Sequence, residues 1–511
     1  MGTYRNPILP GCHPDPSICE VDGTYYMVTS TFEYLPGLPV HRSHNLVDWE
    51  PVGHVITYQL DYTGIAASKG LYAPTLRYHD GTFYVVCTHI PGEEVPPARA
   101  GHFLVTATDP TGPWSEATWF EGLDGIDPSL TFDGDRVWLC WTYLADHGLW
   151  HGQCDIWLVE LEPRTYAPMG VPQSIWRGAL LGAGWAEGPH IHPRPGGGWM
   201  LVAAEGGTNR DHAICVAYAD AIEGPYMGDE GNPRLTHRFL GDRADIADVG
   251  HADLVQAADG SWWSVMLATH QRDGVNSLRG RQTHLVPVEF EAGRPFFAPG
   301  TGRVAVEMTA DGVPDQLPPV TTLRDDFDAE TLDLAWNSVR WLPSEFVDLA
   351  SRPGFARLRA TRDEPTDVGR TSFLGRRLGA DTSRITVRCE LDGADSLRAG
   401  LLLRTTETGL LELAVHADGT VRGVLIDDGV RTEVGAVGVG VGVGGPVDLS
   451  LALDRHVATL FANSTLVGVV DIMCLATGLP GWFMGSWWGP FAVGEGHVDV
   501  DFVEVHQGAQ A

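Results

Sequence analysis

The chain has 511 residues, of which 43% are hydrophobic and 20% charged, so it is long enough for two or three domains with real cores. Its 34 Lys and Arg against 66 Asp and Glu leave a formal net charge of −32. Such a surface repels nucleic acid and anionic lipid, but not a neutral ligand such as a sugar.

At the N-terminus, Met1-Gly2-Thr3-Tyr4-Arg5-Asn6-Pro7 carries no apolar stretch of the kind that opens a signal peptide. No later run approaches the 18 or so apolar residues of a membrane-spanning helix. The expected location is cytoplasmic. The eight cysteines fit this: none form a CxxC pair, and Cys87 and Cys140 sit inside apolar strand-like runs, as buried free thiols do.

A repeat then dominates residues 12 to 290. Five times, a Gly-containing turn leads into an aromatic strand, with turn glycines at 23, 81, 134, 198 and 260, 53 to 64 residues apart. Asp-Gly between strand-like runs is a strong hairpin signal. Each turn is preceded by a second short element: Asp15-Pro16-Ser17-Ile18, Ala73-Pro74-Thr75-Leu76, Asp127-Pro128-Ser129-Leu130, Glu187-Gly188-Pro189-His190 and Gly250-His251-Ala252-Asp253. Multi-strand units of this period with no helical pattern predict the blades of a five-bladed β-propeller over residues 1–309. The first strand of each blade lines the central channel. Asp15, Asp127, Glu187 and His251 are read as equivalent positions, so three carboxylates and one imidazole should meet in one pocket. Residues before proline are biased to extended backbone, which is the expectation for Asp15 and Asp127.

His190 and His192 share one strand face, but no third metal ligand is evident, and they are read as structural. A Pro-bearing polar stretch over 310–322 reads as a linker. From Leu323 to the end, alternating segments such as Arg384-Ile385-Thr386-Val387-Arg388 predict a β-sandwich. The run Val437–Gly445 lacks a following Lys-Ser/Thr and is read as a flexible loop or edge segment, not a phosphate loop. The run 481–491 holds three Trp and two Phe, too aromatic for an exposed loop. It is expected to be buried, closing the propeller's channel mouth or filling the sandwich core.

Two carboxylates with separate roles are the minimum for glycoside hydrolysis. One protonates the leaving oxygen and the other activates water or attacks carbon, while a third tunes the pair. Asp15, Asp127 and Glu187 meet that requirement. Glu187 lies beside Trp185 and Pro189, where desolvation would raise its pKa. The residues alone leave the roles unassigned. Phe32, Tyr34 and Tyr72 are available to stack on sugar faces or simply to pack.

These motifs resemble family 43 glycoside hydrolases of the β-xylosidase type. The resemblance runs through Asn6–Ser17, Thr29–Glu33, Ser43–Trp49, Ala73–Tyr78, Asp127–Leu130, Glu187–His190, Ala204–Thr208 and Gly280–Thr283. In the second domain it includes Asp325-Asp326-Phe327 and Trp336-Asn337. It implies an all-β protein, a five-bladed propeller followed by a concanavalin-like β-sandwich that completes the site, and an inverting mechanism. By resemblance Asp15 is the general base, Glu187 the general acid and Asp127 the residue that orients Glu187 and raises its pKa. Arg281 would contact sugar hydroxyls, alongside Phe32 and Tyr72. His251 would lie near the channel axis and bind a Ca²⁺-type ion directly or through water. An aromatic of the sandwich, Phe483 or Trp487, would close the pocket. Departures at Tyr72, Ile126 and Gln282, expected around the pocket, leave the preferred pentose open. The implied substrate is a xylo-oligosaccharide, with a β-D-xylosidase as the leading reading and an α-L-arabinofuranosidase or bifunctional enzyme as the near rival. A non-catalytic sugar-binding propeller is the rival of another class. A homo-oligomer is left open.

Overall fold

The computed structural model describes residues 1–91, 99–144, 148–179, 184–439, 445–476 and 483–508. Five antiparallel sheets follow one another along the chain, each built of strands in sequence order from the inside out. Their innermost strands are Ser17–Val21, Gly70–His79, Ile126–Asp133, Glu187–Pro193 and Ile246–Gln256. The tight turns after them follow the expected chemistry. Asp22 and Gly23, like Asp80 and Gly81, both have positive φ, as a two-residue type I′ hairpin turn requires.

The propeller ring closes without a blade shared between the chain ends. Gly2–Arg5 instead pairs antiparallel with Glu307–Ala310, and Leu9 bridges to Thr283 of the last blade. Ser17 and Ile18 of blade 1 bond the carboxylate of Asp253 in blade 5. Among the described residues the only helical elements are two short 3₁₀ turns, and no helix is long and apolar enough to cross a membrane.

The linker lies against the propeller. The side chain of Gln316 accepts from the amide of Arg5 and donates to the carbonyl of Val47. Beyond it, Thr322–Asp325 opens a two-sheet sandwich. Strand Thr382–Gly393 buries every second residue, including Ile385, Val387, Cys389 and Leu391, the alternation of a sheet with one face in a core. Part of the Val-Gly run forms the edge strand Val430–Gly438; residues 440–444 lie outside the described residues, as do Gly481 and Trp482 of the aromatic run. All eight cysteines are free thiols, seven of them buried.

The two domains share a core and a strand pair. Ser338–Val339 of the sandwich pairs with Tyr34–Leu35 of the propeller. Cys12, Phe32 and Tyr34 pack with Phe373, Met484 and Trp487 in one apolar cluster. The ring of Trp487 stacks on Tyr34 with centroids 4.1 Å apart. Beside it, the fully buried carboxylate of Glu33 accepts from Arg404 at 3.0 Å, and Arg404 also binds Glu407 at 2.8 Å. Removing the sandwich would therefore expose apolar rings and leave a buried carboxylate without its cation, a strongly destabilising loss. A fragment ending at Pro318 is expected to aggregate. Size-exclusion chromatography is the check, and a monodisperse folded fragment would refute the shared core.

Candidate active site

The site is built on an irregularity repeated at the top of each innermost strand. Asp15, Ala73, Asp127 and His251 have φ of 53°, 41°, 56° and 49°, and Gly188 in blade 4 has φ of 56°. In blades 2 to 5 the pairing register shifts at this point. This corrects two expectations. Asp15 and Asp127 are not extended; the residue before proline here is left-handed, a strain of about 1–2 kcal/mol that the surrounding blades enforce. And Glu187 is not equivalent to Asp15 and Asp127: the left-handed slot of its blade belongs to Gly188. A Cβ on Gly188 would stand 3.0 Å from the His251 ring, so only glycine fits the slot without displacing that ring. Glu187 comes one residue earlier, at the position of Tyr72 and Ile126, and enters the pocket from a different angle.

All three carboxylates nevertheless line one cavity of about 390 Å³, together with His251 and Arg281. Its walls include Phe32, Tyr72, Ile126, Trp185 and Phe483. Of the three departures, Tyr72 and Ile126 face this cavity. Gln282 does not: its side-chain oxygen accepts from the Gly11 amide and from Arg279, away from the pocket.

The electrostatics separate the carboxylates. Burial opposes ionisation of Asp15, but Arg281, His251 and a bond from Ser30 outweigh it, and its pKa lies below the usual carboxylate value. The contacts are direct: Arg281 Nη1 donates to Asp15 at 3.1 Å, Ser30 Oγ donates at 2.6 Å, and His251 Nδ1 stands 3.7 Å away. Glu187 is held well above the usual value by burial first, then by the charges of Asp127 and Asp15, against a weaker pull from Arg281. Asp127 is also raised, by burial and by Asp15, although it accepts the Gly188 amide at 2.9 Å. A low-pKa carboxylate and a high-pKa carboxyl in one cavity are the pair that splits base and acid roles.

The sandwich completes the wall through Phe483, not Trp487. The Phe483 ring stacks on Phe32 at 5.9 Å, and its carbonyl accepts from Arg281 Nε at 3.2 Å. The Arg281 guanidinium lies over both rings. Trp487 is fully buried in the domain contact instead. His190 and His192 lie in the channel below the pocket, where His192 Nε2 is 3.2 Å from Asp253.

Sequence reasoning missed the lining residues Thr208, Asn209, His212 and Leu267. Thr208 Oγ1 accepts from Arg281 at 3.4 Å. His212 is kept neutral, its pKa pushed down to about 3 by burial, and its Nδ1 donates to the Asp248 carbonyl at 2.9 Å. The signal available was Thr208 at the end of Ala204–Thr208, a motif of the resemblance to which no role attached. Trp185, noted only as a neighbour of Glu187, lines the pocket itself. A Cβ on Gly152 or Gly207 would come within 2.7 Å and 3.0 Å of its indole.

Paired carboxyls with divided pKa values in an aromatic-walled propeller pocket match what glycoside hydrolysis requires. Comparison with known proteins gives the family. Residues 4–295 match the model of glycosyl hydrolases family 43, and residues 324–506 match the β-xylosidase C-terminal concanavalin A-like domain. A xylosidase/arabinosidase of Butyrivibrio fibrisolvens is 36% identical over 81% of this chain and 80% of its own length. A non-reducing end α-L-arabinofuranosidase of Bacteroides ovatus is 32% identical over 98% of this chain and 93% of its own. Among solved structures, a xylan β-1,4-xylosidase from Bacillus halodurans superposes with a TM-score of 0.88 at 29% identity, covering 99% of this chain and 100% of the other. The chain belongs to glycosyl hydrolases family 43, whose members are inverting glycoside hydrolases.

Arg281 stabilises ionised Asp15 and, more weakly, ionised Glu187. Its loss raises both pKa values. Arg281→Met is therefore expected to move both limbs of the kcat/KM pH profile to higher pH, beyond any fall in its maximum. A profile that falls in height at unchanged pH values would contradict this charge coupling.

Proposed function

We propose that the protein is an inverting β-D-xylosidase that releases terminal xylose from short xylo-oligosaccharides. One observation carries this reading: within one cavity Asp15 is shifted below and Glu187 well above the ordinary carboxylate pKa. Asp15 stays ionised and takes a proton from water as the water oxygen bonds the anomeric carbon. Glu187 stays protonated and gives its proton to the glycosidic oxygen as the carbon–oxygen bond breaks. Asp127 raises the pKa of Glu187 by its charge, and its bond from the Gly188 amide fixes it beside that residue. Arg281 holds Asp15 and presents its remaining donors to the sugar. Phe32, Tyr72 and Phe483 offer ring faces and edges to the apolar side of a pentose.

The names of the relatives support a second activity on the same residues, hydrolysis of α-L-arabinofuranosides, since the B. fibrisolvens enzyme is named for both sugars and the B. ovatus enzyme for arabinofuranose. Rates on 4-nitrophenyl β-D-xylopyranoside and α-L-arabinofuranoside separate a xylosidase from a bifunctional enzyme.

Asp15→Asn is expected to lower kcat on xylobiose and on aryl xylosides alike, by roughly 10²–10⁴-fold. Glu187→Gln is expected to fall comparably on xylobiose but much less on an aryl xyloside, whose leaving group does not need the proton. NMR of the first-formed xylose should show the α-anomer. Formation of the β-anomer, or a loss under about threefold on xylobiose in either variant, would overturn the role assignment.

A Ca²⁺-type ion on His251, expected from the resemblance, would draw its other ligands from water. Among the described residues no three His, Cys, Asp or Glu side chains form a cage for a metal, and a hard cation takes 6 to 8 oxygen ligands as a rule. No step above runs through such an ion. If such an ion acts on His251, exhaustive dialysis against EDTA lowers kcat/KM and added Ca²⁺ restores it; unchanged activity would count against a catalytic role for the ion.

A further inference from the structure

Three aromatic side chains wall the cavity opposite the carboxylates, and they come from three separate stretches of chain. Phe32 belongs to the loop after the second strand of blade 1, Tyr72 to the innermost strand of blade 2, and Phe483 to the sandwich. Their rings touch: Phe32 meets Tyr72 edge-on at 5.1 Å and stacks on Phe483 at 5.9 Å, while Tyr72 meets Phe483 edge-on at 5.9 Å. Ring contacts of this kind are permissive in geometry and do not fix three backbones relative to one another.

One residue bonds all three segments. The Ser68 amide donates to Glu33, the residue after Phe32, at 3.1 Å. The Ser68 carbonyl accepts from the Tyr72 hydroxyl. The Ser68 side-chain oxygen accepts from the Phe483 amide at 2.9 Å. Ser68 is itself buried and left-handed, with φ of 63°. A serine there carries backbone strain that glycine would not. Glu33 is pinned from its other side by Arg404, so the bond to Ser68 joins the domain contact to the pocket wall.

We propose that Ser68 is the positioning residue for the sugar-facing aromatic wall, and that through its hydroxyl it sets where the sandwich's Phe483 stands over the bound pentose. This rests on the reading of the cavity as the sugar site. The side chain does not touch the reacting atoms. It acts on Phe483, whose carbonyl holds Arg281 Nε while Arg281 Nη1 holds Asp15. Displacement of Phe483 therefore loosens the ring that faces the sugar and the arginine that faces the base.

Ser68→Gly tests this cleanly. It keeps the amide bond to Glu33 and the carbonyl bond to Tyr72, relieves the strain at positive φ, and removes only the hydroxyl that receives the Phe483 amide. If Ser68 serves folding alone, the variant loses melting temperature while KM and kcat stay at the parental values. If it positions the wall, the melting temperature holds while KM on xylobiose rises about fivefold, the worth of one hydrogen bond, and kcat falls by less. Ser68→Asn, which tolerates positive φ and restores a side-chain oxygen, should recover part of the loss relative to Ser68→Ala. Glu187→Gln, measured alongside, separates the two readings. If it keeps full turnover of xylobiose, the cavity is not the sugar site. If it loses turnover while Ser68→Gly keeps parental KM and kcat, the assignment of Ser68 alone is overturned.

Discussion

The structure depends on one buried carboxylate at the propeller axis. Asp253 is fully buried and accepts from Ser17 at 2.7 Å in blade 1, from Arg77 at 2.8 Å in blade 2, and has His192 of blade 4 at 3.2 Å. Blade 3 joins through Ser129, whose hydroxyl lies 3.2 Å from the ring of His190, which Arg77 also bonds. Burial alone would favour the neutral acid, but Arg77 and the two histidines hold it ionised, well below its usual pKa. A buried charge without partners costs several kcal/mol, and blades 1, 2 and 4 supply its partners. Ser17, Thr75, Ser129, His190 and Asp253 are equivalent residues, each two positions after the left-handed slot, with Arg77 and His192 two positions further along. This network joins blade 1 to blade 5 at the axis, alongside the bond from Arg281 to Asp15.

From that network follows the position of the site. The slot two residues above the network points Asp15, Asp127 and His251 toward one mouth of the channel. Three acidic groups then share a cavity in which Arg281 is the guanidinium at hand, with His212 kept neutral. At contact distance one such charge is worth about 4 kcal/mol at an effective dielectric of about 20. Its placement on Asp15, and not midway between the acids, decides which carboxyl ionises. The asymmetry proposed as base and acid thus arises from one arginine on the last blade meeting the first.

Much of this was legible in the chain. Asp-Gly turns and aromatic strands have local causes, so the five blades, the sandwich and the three carboxylates could be read from the order of residues alone. The phase of Glu187 could not. Glu187-Gly188-Pro189 aligns as naturally by its acid as by its proline, and only the backbone shows that the proline sets the register. Phe483 could not be told from Trp487 for a similar reason: both are aromatic residues of one run, and which faces the channel depends on the packing of Tyr34 against Trp487. Ser68 left no trace at all. It uses its amide, its carbonyl and a hydroxyl, and the partners of its amide and hydroxyl lie 35 and 415 residues away.

The two domains are separate in sequence but not in chemistry. Arg281 donates through Nη1 to Asp15 and through Nε to the carbonyl of Phe483. One guanidinium thus reads the docking of the sandwich and sets the charge of the carboxylate at the same time. Around it, Arg377 bonds the Cys12 carbonyl from the sandwich side, and burial lowers its pKa to about 10. The Glu33 carboxylate accepts from a sandwich arginine and from the amide of Ser68. A propeller without its partner would keep Asp15 and Thr208 beside Arg281 but lose the carbonyl of Phe483 that holds its Nε. The sandwich is better understood as the sixth wall of the propeller's pocket than as a module attached to it.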